Sequence, residues 1–122
     1  MPGARDALVV DDDESIRSLV SAMLSRAGYG VRAYGDPQEA LLAATECPPD
    51  LYVLDVRLPG MNGRELCRVL KAGGRTRKPV LMISAEASVD DVEAAFGAGC
   101  DDFLAKPFRR SELVARVDDL RG

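Results

Sequence analysis

The strongest constraint on the fold is a rhythm of short, unbroken apolar runs, each followed by a stretch with helical spacing. The runs "ALVV" at 7–10, "LYVL" at 51–54, "VLMI" at 80–83 and "FLA" at 103–105 contain no Asp, Glu, Lys or Arg. A strand with one wet face alternates apolar and polar residues, whereas a strand covered on both faces does not. These four runs therefore predict parallel strands held between layers of helices. "GVRAY" at 30–34 does alternate, which places it at a sheet edge.

The intervening stretches carry helix signals. Ile16, Leu19, Val20, Met23, Leu24 and Ala27 recur at intervals of three and four, and Gly28 ends the pattern. Asp36, Pro37 and Glu39 occupy the cap, first-turn and capping-box places of a second helix. Asn62 and Glu65 repeat that relation, with Leu66, Val69 and Leu70 predicted to face inward before a stop at Gly73 and Gly74. Ser88 opens a fourth helix carrying Val92, Ala95 and Phe96, and Leu113, Val117 and Leu120 mark a fifth. That last helix has Arg109 and Arg110 where Asp or Ser would cap better. Five strands alternating with five helices predict a doubly wound, flavodoxin-like α/β sandwich with a five-stranded parallel sheet. A second strand at the edge gives the order 2-1-3-4-5.

Bulk properties exclude several classes. With 122 residues, the expectation is a single domain over 1–122, its core at about 6–121, with no output domain in this chain. No segment approaches the ~20 apolar residues of a bilayer span, and Met1 to Asp6 lacks a signal-peptide apolar core, so a cytoplasmic protein without membrane contact is expected. A net charge of −4, with "RTRK" at 75–78 as the one basic run, argues against direct binding of nucleic acid. Cys47, Cys67 and Cys100 are odd in number and widely spaced, which predicts reduced packing residues rather than a disulfide framework or zinc site.

Ligands of open parallel sheets bind beyond the carboxyl ends of the strands. There the first strand delivers Asp11 and Asp12, the third Asp55, the fourth Ser84 and the fifth Lys106. Three carboxylates crowded together repel unless some are protonated or a cation sits among them. Mg²⁺, with Mn²⁺ as the alternative, suits a shallow oxygen site that must also admit a phosphate. Asp55, in the centre, is then the candidate nucleophile toward phosphorus, with Lys106 and the Ser84 hydroxyl serving the phosphoryl oxygens. Arg57 and Glu86, two residues beyond Asp55 and Ser84, flank the expected water route. They are read as a pair that slows hydrolysis.

Taken together, "LVVDDDESIR", "LYVLDVRLPGMNG", "MISA" and "DDFLAKPF" resemble the motif blocks of the receiver domain of two-component response regulators, with intervals of 29 residues from 55 to 84 and 22 from 84 to 106. The resemblance implies phosphorylation of Asp55 by a sensor histidine kinase or histidine phosphotransfer protein. It implies Mg²⁺ held by Asp11, Asp12, Asp55 and the backbone carbonyl of Arg57. It also implies a cis peptide at Pro107 and a switch pair, Ser84 and Phe103. The face of helix 4, strand 5 and helix 5 would then serve an effector or a second copy. Such a domain is no enzyme beyond its own phosphorylation and dephosphorylation.

Two rival readings fit less well. Aspartate-nucleophile phosphatases use Asp-x-Asp, but Asp55 is followed by Val56 and Arg57. A flavin or nucleotide module needs a glycine- or hydroxyl-rich loop after the first strand, and "DDDES" carries the wrong charge.

Overall fold

The computed structural model describes residues 5–72 and 77–121. The expected stop at Gly73 and Gly74, the first half of the basic run, and the two chain ends lie outside the described residues. Ten elements alternate strictly: β1 (Arg5–Val10), α1 (Glu14–Arg26), β2 (Tyr29–Tyr34), α2 (Pro37–Glu46), β3 (Leu51–Asp55), α3 (Gly63–Lys71), β4 (Val80–Ser84), α4 (Val89–Gly97), β5 (Asp102–Ala105) and α5 (Arg110–Arg121). The sheet is parallel throughout, in the order β2-β1-β3-β4-β5.

The apolar runs behave as buried strands because each supplies both faces. Leu8, Val10, Tyr52, Leu54, Val80 and Met82 pack with α2, α3 and α4, whereas Ala7, Val9, Val53, Leu81 and Ile83 pack with α1 and α5. Every residue of β3 and β4 is buried, while in β2 Tyr29 is buried and the other five residues are half-buried or exposed, as an edge position allows. No helix among the described residues is long and apolar enough to cross a membrane.

Several local expectations shift. Leu19, on the predicted apolar stripe of α1, is 46% exposed, and the burial there falls on Val20 and Leu24. In α3 the buried residues are Gly63, Leu66, Cys67 and Leu70, while Val69 is half-buried. Cys67 and Cys100 are core residues whose thiols burial pushes up to about 11 and about 12, but Cys47, the C-cap of α2, is exposed rather than a core packing residue.

The caps stand where the sequence places them, but their hydrogen-bond partners differ. Asp13 caps α1 through the N–H groups of Ser15 and Ile16, and Asp36 caps α2 through Gln38 rather than Glu39. Asn62 takes the N–H of Glu65. The reciprocal capping box is at α4, where Ser88 and Asp91 satisfy each other's backbone N–H. α5 compensates for its arginines from the other side, because the Glu112 carboxylate reaches back to the N–H of Arg109 at 2.9 Å.

Candidate functional site

Strand register determines which residues meet at the carboxyl edge of the sheet. Val10 pairs with Leu54, and Asp55 with Ile83, so Asp11 follows β1 beside the end of β3. Ser84 pairs with Ala105, and the backbone N–H of Lys106 donates to Ser84 O at 2.8 Å. Residues 95 apart in sequence thereby come into contact: Lys106 Nζ lies 3.2 Å from Asp11 Oδ2 and 3.5 Å from Asp55 Oδ1.

Asp11, Asp55 and Ser84 are the buried polar residues of the molecule's described core. Asp12 is exposed, yet one carboxylate oxygen from each of Asp11, Asp12 and Asp55 falls within a 4.8 Å group. Three carboxylates face one ammonium. Burial pushes the Asp55 carboxyl from its usual 3.8 up to about 6; the Asp11 charge adds to the rise, while Lys106 and the backbone N–H of Arg57 oppose it. A donor set made only of hard oxygens, with surplus negative charge and one exposed member, fits a divalent cation that retains water.

Around this cluster lie the remaining predicted residues. Ser84 Oγ accepts the N–H of Glu86 at 2.9 Å, leaving its own proton for another acceptor. Arg57 and Glu86 form an ion pair, with side chains 78% and 46% exposed. Together with Asp12, Asn62 and Arg64 they line an open cavity of about 510 Å³. The Lys106–Pro107 peptide is cis. Phe103 is buried in the core layer that holds Met82, its partner across the β4–β5 ladder. Alternation along β4 puts Ser84 on the same face as Met82, so Ser84 and Phe103 share one side of the sheet.

Sequence reasoning missed three features. Ile16, Leu19, Ala85, Pro107 and Phe108 surround Lys106 with an apolar hollow of about 230 Å³. Gly63 touches β3 so closely that a Cβ would lie 2.0 Å from Asp55 O. Arg17 donates to the backbone carbonyl of Asp11 at 2.8 Å. The glycine in "MNG" was visible, but only the fold shows which atom it approaches.

Comparison with known proteins gives a consistent result. Residues 7–118 match the family model of the response regulator receiver domain. The DNA-binding response regulator MtrA of Mycobacterium tuberculosis (strain H37Rv) is 44% identical over 110 residues, covering 90% of this chain and 47% of that protein. The response regulator MprA of Mycobacterium leprae is 42% identical over 110 residues, covering 90% of this chain and 48% of that protein. The chain thus spans about half the length of the curated relatives it matches. Among solved structures, a putative response regulator from Chloroflexus aurantiacus superposes with a TM-score of 0.90 at 38% identity, covering 95% of this chain and 96% of that one. Chemotaxis protein CheY4 of Vibrio cholerae gives 0.89 at 32% identity, covering 97% of this chain and 99% of that one.

Proposed function

The chain belongs to the response regulator receiver domain family, and on that premise we propose that Asp55 is its phosphoacceptor. The observation that carries the assignment is the convergence of the Asp11, Asp12 and Asp55 oxygens within 4.8 Å, with the Lys106 ammonium against two of them. Asp11, Asp12, Asp55 and the carbonyl of Arg57 would hold Mg²⁺, or Mn²⁺ in its place. When bound, the ion supplies charge neutralisation and Lewis acidity at the phosphoryl oxygens.

The chain's own residues do the rest. An oxygen of the Asp55 carboxylate attacks phosphorus in line with the leaving nitrogen of a phosphohistidine, and an acyl phosphate replaces the P–N bond. Lys106 exchanges its contact with Asp55 for one of the new phosphoryl oxygens, and the Ser84 hydroxyl donates to another. The donor is a sensor histidine kinase or a histidine phosphotransfer protein. The apolar hollow formed by Ile16, Leu19, Pro107 and Phe108 supports a protein donor, because it offers a dry rim beside Lys106.

Phosphorylation biases a pre-existing equilibrium as Ser84 is drawn toward the phosphate and Phe103 follows into the space it leaves. The readout surface is the face of α4, β5 and α5, where Val89 and Phe96 are large, exposed apolar side chains. An effector or a second copy docks there. The likeness to relatives named as DNA-binding response regulators extends the proposal to a DNA-binding output under this switch, in the cytoplasm, with no nucleic-acid contact by the receiver itself. Arg57 and Glu86 close the site mouth and lengthen the phosphate's lifetime. The domain turns over no substrate other than its own phosphoryl group.

The test is incubation with Mg²⁺ and acetyl phosphate, followed by intact mass measurement. A labile gain of one phosphoryl group that disappears in Asp55→Asn supports the proposal. Catalytic hydrolysis of phosphate esters with no stable adduct would replace it with the phosphatase reading.

A further inference from the structure

Asp11 is held from four directions. Its N–H donates to Tyr34 O at 3.1 Å, Asp13 N–H donates to its Oδ1 at 2.9 Å, and Lys106 Nζ lies 3.2 Å from its Oδ2. The fourth hold comes from a helix: Arg17, in α1, donates through Nη1 to the Asp11 carbonyl oxygen at 2.8 Å. That guanidinium lies directly over residue 35. A Cβ on residue 35 would sit 2.9 Å from Arg17 Nη1, 3.7 Å from its Cζ and 3.8 Å from Asp11 O. Gly35 is not among the glycines with positive φ, so the position needs space rather than an unusual backbone.

From this wedge we infer that Arg17 is a positioning residue for the acidic site, acting through the Asp11–Asp12 peptide and made possible by Gly35. The physical route is the planarity of that peptide. The carbonyl of Asp11 and the N–H of Asp12 belong to one rigid unit, so anchoring the oxygen fixes the plane from which the Asp12 chain departs. Asp12 is the exposed acid, and its direction depends on the backbone more than that of buried Asp11 does. Arg17 differs here from Lys106: the charges bearing on Asp55 come from Asp11 and Lys106, and the Arg17 contact is with backbone. Groups that orient ligands from outside the ligand shell change metal affinity by about 10–100-fold when removed.

The inference rests on the metal-site reading above, and the experiment separates the two. Amide resonances of the whole chain are followed by NMR during titration with MgCl₂ alone, for the natural protein, Arg17→Met, Gly35→Ala and the double variant. The expected result is an affinity about tenfold weaker in Arg17→Met and weaker also in Gly35→Ala. In the double variant the loss does not exceed that of Arg17→Met alone, because the new Cβ then has no guanidinium to displace. At saturating Mg²⁺ the phosphorylation rate from acetyl phosphate returns close to the natural value, a split that a general loss of stability would not produce. Arg17→Lys, which keeps a donor, recovers part of the affinity; this variant and Gly35→Ala carry the test if Arg17→Met fails to fold. Unchanged Mg²⁺ affinity in folded Arg17→Met, or independent effects in the double variant, would overturn the positioning role alone. Absence of Mg²⁺-dependent shifts near Asp11 and Asp12 in the natural protein would overturn the metal site and this inference with it.

Discussion

Asp55→Asn should stabilise the metal-free protein at neutral pH, even though it removes the group on which the proposed function rests. Asp55 is 5% exposed, close to the fully buried Asp11, and its carboxyl is held at about 6 instead of 3.8. For an acid, a raised folded-state value means that ionisation is harder in the folded chain than in the unfolded one. Above about pH 6 both states are ionised and the folded state bears the whole penalty; below about 4 both are protonated and the penalty is gone. A displacement of roughly two pH units at ~1.36 kcal/mol each gives about 3 kcal/mol. Asparagine keeps the shape and loses the charge, but it makes a weaker bond to Lys106, so a net gain of about 1–3 kcal/mol is expected. In a chain of this size that corresponds to a Tm increase on the order of 5–10 °C. The assay is thermal unfolding of both proteins in EDTA from pH 4 to pH 8, with the difference plotted against pH. The difference should grow between about pH 4 and about pH 6 and level off above that, and Mg²⁺ should narrow it by stabilising the natural protein more. A difference that is flat across the range, or a less stable variant at pH 7.5, would refute the reasoning.

Three further outcomes follow from particular contacts. Gly63→Ala places a Cβ 2.0 Å from Asp55 O and 2.9 Å from the Val56 Cα, both backbone atoms that cannot swing aside; a loss of about 1–3 kcal/mol or more in denaturant unfolding is expected, and an unshifted midpoint would contradict it. Arg57→Ala and Glu86→Ala should each shorten the acyl phosphate lifetime while leaving Tm nearly unchanged, because an ion pair this exposed contributes ~1 kcal/mol or less; equal lifetimes in both variants and the natural protein would end the shielding idea. Ser88→Ala removes half of the α4 capping box and should cost about 1 kcal/mol in chemical denaturation, with no change in stability counting against the cap.

The fold was largely legible because it rests on patterns local in sequence. The unbroken run 51–54 reads as a strand covered on both faces, and the alternation at 30–34 pointed to the edge. Legibility failed where neighbours decide. Leu19 fits the helical period of α1 as well as Leu24 does, but it borders the Lys106–Phe108 hollow rather than the sheet. Cys67 replaces Val69 as an inward residue of α3 because the rotation of that helix is set by its packing on β3, not by its own spacing. The start of α5 looked uncapped because its carboxylate, Glu112, lies inside the helix rather than before it.

By itself, the sequence determined five buried or edge strands, the helices between them, and therefore a single sheet edge at which Asp11, Asp12, Asp55, Ser84 and Lys106 must emerge. Periodicity and strand length are enough for that, since each strand's terminus is fixed by where its apolar run ends. Only the tertiary structure decided how close these groups come, that Arg17 reaches Asp11 across Gly35, and that Gly63 lies against Asp55 O. Those facts concern ångström-scale gaps between segments distant in the chain, and such gaps are set by how whole layers pack, which no local pattern of residues encodes.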